Sequence, residues 1–298
     1  MPKTRYFTPL AISLSLAITT LSPLSAPAQE VGNASVFERL HMANALRNNT
    51  QYMARVACYA FAGYEPEHQR EELARASAEF SEISVALLAG DAERGMAPEA
   101  NQRVINALDA LRDAWPVLEN RIDRIVREER IDKGEMAEID MFSLNLMTGS
   151  DDLSTRMTNV YSETLNDVPL ILILTVDMAE RQIMRTEKAG KDACLIGVGV
   201  NVIENRADLE KTVAVFSATL GALISGFPGM IMAAPNAEIR DLLNEAEAAW
   251  QAPKALLTIL YQGGEITTRE REVIRRGLEE VAAKMEMVAA LYVALETR

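Results

Sequence analysis

Apolar residues in this chain recur at alternating steps of three and four. Leu73, Ala76, Phe80, Ile83 and Leu87 make one such stripe, and Val104, Leu108, Leu111, Trp115, Leu118, Ile122 and Ile125 make another. Ile274, Leu278, Val281, Met285, Val288 and Tyr292 repeat the pattern near the C-terminus. A backbone of 3.6 residues per turn gathers each set on one face, so each segment is predicted to be an amphipathic helix. Helices with such stripes pack nearly parallel, as in four-helix bundles. The punctuation agrees. Pro98 and Pro235 suit first helical positions, where a missing N–H costs nothing, and Thr267 with Glu270 has the spacing of a capping box. Gly63, Gly90, Gly134, Gly226 and the Gly263–Gly264 pair fall at predicted ends and connections. Pro116 and Pro253 lie within predicted third helices, each shortly after a Trp, where a kink is expected.

The pattern occurs twice. Cys58 and Cys194, the only cysteines, stand 136 residues apart, and the same offset aligns 14 identities over the 49 positions from 42 to 90. Among them are Met42/Met178, Thr50/Thr186, Phe80/Phe216, Ser81/Ser217, Leu87/Leu223 and Gly90/Gly226. Chance matching at this composition gives about three or four. With small length changes the match extends to Trp115/Trp250 and Tyr161/Tyr292. The expected architecture is all-α, two tandem four-helix modules over 29–166 and 167–298. The boundary falls near Asn166-Asp167-Val168-Pro169, because a residue before proline avoids the helical region.

Composition sharpens this picture. The chain is 49% hydrophobic and only 5% aromatic, with few prolines and glycines, a balance that favours helices over a β architecture. Lys3 and Arg5 precede an apolar run from Phe7 to Leu21, and Ser25-Ala26-Pro27-Ala28 supplies a small-x-small exit. Residues 1–28 therefore read as a secretory signal peptide, with the mature chain starting near Gln29 in the periplasm. The alternative is an uncleaved leader that anchors the protein in the inner membrane. Without the leader the net charge moves from −13 to −15. So acidic a surface argues against nucleic acid and anionic lipid as partners.

Signatures of catalysis are absent. His41 and His68 are the only histidines and neither has ligand-type neighbours at metal spacing. No phosphate loop, nucleophile elbow or zinc-protease pattern occurs, so a non-enzyme without a cofactor is expected. The acidic residues lie opposite the apolar stripes and read as solvated faces. Fourteen methionines raise the idea of copper, with Met230/Met232 and Met285/Met287 as the nearest pairs. Met42, Met178 and Met285 fall on bundle-facing positions, however, where flexible Met fills gaps. Cys58 and Cys194 occupy core-like Ala-Cys contexts on corresponding first helices. They are expected to be buried, unbridged and dispensable for folding, since a bond requires those two helices to pack together.

One block carries a resemblance. Ala179-Glu180-Arg181-Gln182-Ile183-Met184-Arg185-Thr186-Glu187-Lys188-Ala189-Gly190-Lys191-Asp192-Ala193-Cys194 resembles the first-helix motif of the PilJ-like, or NarX-like, N-terminal sensor domain, and the stretch from Ala43 to Arg55 is a weaker copy. That family includes periplasmic parts of type IV pilus chemotaxis transducers and of nitrate/nitrite sensor kinases. The resemblance implies a helical sensor module that dimerises and binds a small anion or a partner. In the nitrate sensors the Arg before the Met of the block holds the anion, and its matching positions here are Arg47 and Ile183. Arg181 stands two residues earlier and on another face. The family's guanidinium chemistry suits a planar oxyanion, because the fork donates two parallel hydrogen bonds. Two copies in one chain imply an intrachain pseudo-dimer, first helix against first helix. No transmembrane signalling region follows before Arg298, so two expectations stand: a small-ligand-binding protein, or an accessory that docks on a membrane chemoreceptor, sensor kinase or pilus component.

Overall fold

The computed structural model describes residues 33–162 and 168–295, and the side chains of α1 from 35 onward. The leader expected over 1–28 lies outside the described residues, as do Asn166 and Asp167 of the expected boundary. The described residues form eight helices and no strands: α1 (Asn33–Phe61), α2 (Pro66–Ala89), α3 (Gln102–Val126), α4 (Lys133–Tyr161), α5 (Leu170–Val198), α6 (Val202–Ser225), α7 (Ala237–Tyr261) and α8 (Thr268–Val293). The protein is all-α. Within Val31–Arg298, which makes up one compact unit, α1 packs on α2 and α4 while α3 closes against both. Helices α5 to α8 repeat that arrangement, and α1 packs along α5.

The sequence stripes are the core. Every residue of the three apolar stripes is buried, with Phe80, Leu87, Leu118, Ile122, Val281 and Tyr292 wholly inaccessible. The duplication reappears in detail. Trp115 stacks on Phe80 and its indole N–H donates to Ser81 Oγ at 3.1 Å; Trp250 meets Phe216 and donates to Ser217 Oγ at 3.0 Å. Each trio buries an aromatic pair while satisfying the one polar atom that would otherwise be stranded.

Capping side chains mark the starts of α3, α4, α7 and α8. Thr267 and Glu270 form the capping box of α8, and Asp132 and Glu135 form another at α4. Pro98 and Pro235 are not first helical residues. Helices α3 and α7 start later, where Asn101 and Asn236 accept the backbone N–H groups of Arg103 and Ile239. An Asn oxygen satisfies an otherwise unpaired donor, whereas proline only tolerates its absence. Pro116 and Pro253 do lie inside α3 and α7. At Pro253 helix α8 comes so close that a Cβ on Gly277 would stand 2.3 Å from the proline ring. Only glycine permits that approach.

The cysteines are bonded, against the unbridged expectation: Cys58 and Cys194 form a disulfide across α1 and α5, with their Cα atoms 6.2 Å apart. Side-by-side packing of α1 and α5 brings the two equivalent positions within bonding range. Helix α5 carries 15 buried residues, including Glu180, Gln182, Thr186, Lys191 and Asp192. Surrounded by α1, α6 and α8, it has little solvated face.

Candidate functional site

The arginines singled out in the motif helices meet where α1, α4 and α5 come together. Arg47 on α1 is wholly buried. Its Nη1 donates to Asp151 Oδ1 on α4 and to Asp177 Oδ1 on α5, both at 3.1 Å. Arg181, one turn beyond Asp177, donates from Nε to Asp177 Oδ2 and from Nη1 to Asp151 Oδ1, both at 2.7 Å. Although Arg181 belongs to a different helical face from Ile183, the crossing of α1 and α5 brings it to the same carboxylates as Arg47. Ile183, the repeat partner of Arg47, is an apolar buried residue.

Arg185 completes the cluster. Its Nη1 donates to Gln182 Oε1 at 2.6 Å and to Thr219 Oγ1 at 3.3 Å, both neutral acceptors. No carboxylate lies within 4.0 Å of it among the described residues. Desolvation, with the charges of Arg181 and Arg47 behind it, pushes the Arg185 guanidinium down to about 10. Burial also opposes charge on Arg181, but Asp177 and Asp151 outweigh it and raise that group. Arg47 and Arg181 share Asp151 and Asp177, Arg185 adds a third positive charge beside them, and Arg47 Nε and Nη2 are buried without a hydrogen-bond partner. Unpaired buried N–H groups are costly, and the cluster holds more positive than negative charge. Asp151 and Arg181 reach the surface, their side chains keeping 31% and 19% of their area in solvent.

The sequence points to Arg47 and Arg181 as candidates and gives no sign that Asp151, Asp177 and Arg185 lie beside them. The aspartates were assigned to solvated faces, an assignment that fails at the joint between α1, α4 and α5. Arg185 does lie inside the motif block, three residues after Gln182. Other buried charges line the same joint. Arg55 donates to Glu187 at 2.6 Å, and Lys191 bonds Asp140 and lies 3.4 Å from Asp192. A Cβ on Gly190 would stand 2.7 Å from Arg55 Cδ, so glycine there lets the arginine cross between the helices.

His41 Nδ1 on α1 meets Glu180 Oε1 on α5 at 2.8 Å. That hydrogen bond, working against partial burial, raises the His41 pKa above 6.5. The imidazole keeps 65% of its surface in solvent, so screening keeps the energy small. Because the folded pKa is raised, the contribution to stability is complete below 6.5 and fades as pH rises through the folded value. In an NMR titration the His41 midpoint is expected above 6.5, and to fall in Glu180→Gln. A His41 midpoint unmoved by that change removes the pairing.

Among the described residues no three His, Cys, Asp or Glu side chains converge on a possible metal site, and no helix is long and apolar enough to cross a membrane. No protein-family model matches the chain, and no curated protein matches it.

Proposed function

We propose that this is an exported, non-enzymatic binding protein that senses a small planar oxyanion at the Arg47–Arg181–Arg185 cluster. The surplus guanidinium carries the reading: two carboxylates leave one positive charge unbalanced and two Arg47 nitrogens unbonded in a desolvated site. An oxyanion entering past Asp151 takes up those donors with charge-assisted bonds. It competes with Asp151 and Asp177 for Arg47, and so loosens the ties of α1 to α4 and α5. In this reading the paired motif helices act within one chain as the family's helices act across a dimer.

The internal carboxylates make wild-type affinity low. Calorimetry with nitrate as the probe should give weak binding that Arg47→Ala abolishes. Asp151→Asn removes a competing charge from the entrance and should tighten nitrate about tenfold, the worth of one charge-assisted hydrogen bond. Binding that survives Arg47→Ala places the anion elsewhere. An Asp151→Asn variant with unchanged or weaker binding overturns the competition.

A further inference from the structure

A cleft of about 740 Å³ lies at the other end of α5, between it, the end of α1 and the start of α8. From Arg181 to Gly197 is sixteen residues of helix, about 24 Å. One wall is Ala193, Gly197 and Val198 of α5, and the other is Ile266 and Ile274 flanking and within the first turns of α8. At this wall the two copies differ. Gly197 aligns with Phe61 at the 136-residue offset, and Phe61 packs its ring against the core. The second copy has a hydrogen atom where the first has a benzyl group.

The mouth is cationic in a protein of net charge −13. Arg269, Arg271, Arg275 and Arg276 line it. Arg275 and Arg276 are held by Glu272, with Glu279 also on Arg275. Arg269 and Arg271 are exposed and have no carboxylate partner among the described residues. Both sit in the opening turns of α8, where the helix dipole disfavours cations. Local stability therefore gives no reason for two unpaired arginines at this end, and an anionic ligand does.

We propose that this cleft binds an amphipathic monoanion, an aliphatic carboxylate whose chain lies against Ala193, Gly197 and Val198 and whose head meets Arg269 and Arg271. An apolar slot of this volume with a few convergent polar groups suits one small molecule. The site is separate from the arginine–aspartate cluster.

Three ten-carbon probes, below their micelle concentrations, test it by calorimetry on the full chain: decanoate, decanol and decyltrimethylammonium. Decanoate should bind, decanol at least tenfold more weakly, and the ammonium not measurably. In Arg269→Gln/Arg271→Gln, decanoate should weaken at least tenfold while decanol is unchanged. Gly197→Phe, which fills the cleft as Phe61 does in the first copy, should abolish decanoate binding. Arg47→Ala should leave decanoate untouched, separating this site from nitrate binding. No decanoate binding, equal affinity for all three probes, or decanoate binding that survives either cleft variant overturns the proposal.

Discussion

Replacing both cysteines, as Cys58→Ala/Cys194→Ala, is expected to cost about 5 kcal/mol of stability. The bond joins positions 136 residues apart. In the chain-entropy account a loop of that length restricts the unfolded ensemble by about 5 kcal/mol at 25 °C. For a chain of this size the midpoint of thermal unfolding should fall by roughly 10–20 °C. The bond also fastens α1 to α5 beside the cleft, since Cys194 lines its wall. Thermal melts of the oxidised protein, the reduced protein and the double variant should show the last two nearly coincident and well below the first. Two free thiols in the unreduced protein, or melts that coincide for all three, defeat the expectation.

That bond also marks where the sequence stops being readable. Helical stripes were legible because each depends only on neighbours within one helix: Leu73 to Leu87 and Ile274 to Tyr292 name their own buried faces. The capping box at Thr267 was legible for the same reason. The pairing of Cys58 with Cys194 depends on α1 lying along α5, which no local pattern states. Charges fail in the same place. Asp177, Glu180 and Asp192 look like surface residues of an amphipathic helix, but here the polar side of α5 faces α1 and its neighbours. Arg47 was legible only through the resemblance, and its partners Asp151 and Asp177 came from the packing of three helices. Gly197 is the converse case: its meaning comes from comparison with Phe61 in the first copy.

Lys191 is the buried charge whose loss should be felt most. Its side chain is wholly inaccessible, bonded to Asp140 of α4 and 3.4 Å from Asp192, which is equally buried. Burial lifts the Asp192 carboxyl above the ordinary carboxylate range, against the pull of Lys191 and Lys188. Lys191→Met keeps much of the side-chain volume but leaves Asp140 without its counterion and Asp192 with Lys188 alone. Breaking a buried pair in this way costs about 3–5 kcal/mol, mostly from the charge left behind. Adding Asp140→Leu removes that charge, so the double variant should recover most of the loss. The deficit of the single variant should also depend on pH. Asp192, whose folded pKa is raised, penalises folding above that pKa and stops doing so once protonated, so the deficit should shrink as pH falls towards it. Urea unfolding of the wild type, Lys191→Met and Lys191→Met/Asp140→Leu over a series of falling pH values measures this. A single variant within about 0.5 kcal/mol of wild type, the range of ordinary surface changes, or a double variant no better than the single, would show that this charge is not buried and unpaired as the packing of α4 and α5 requires.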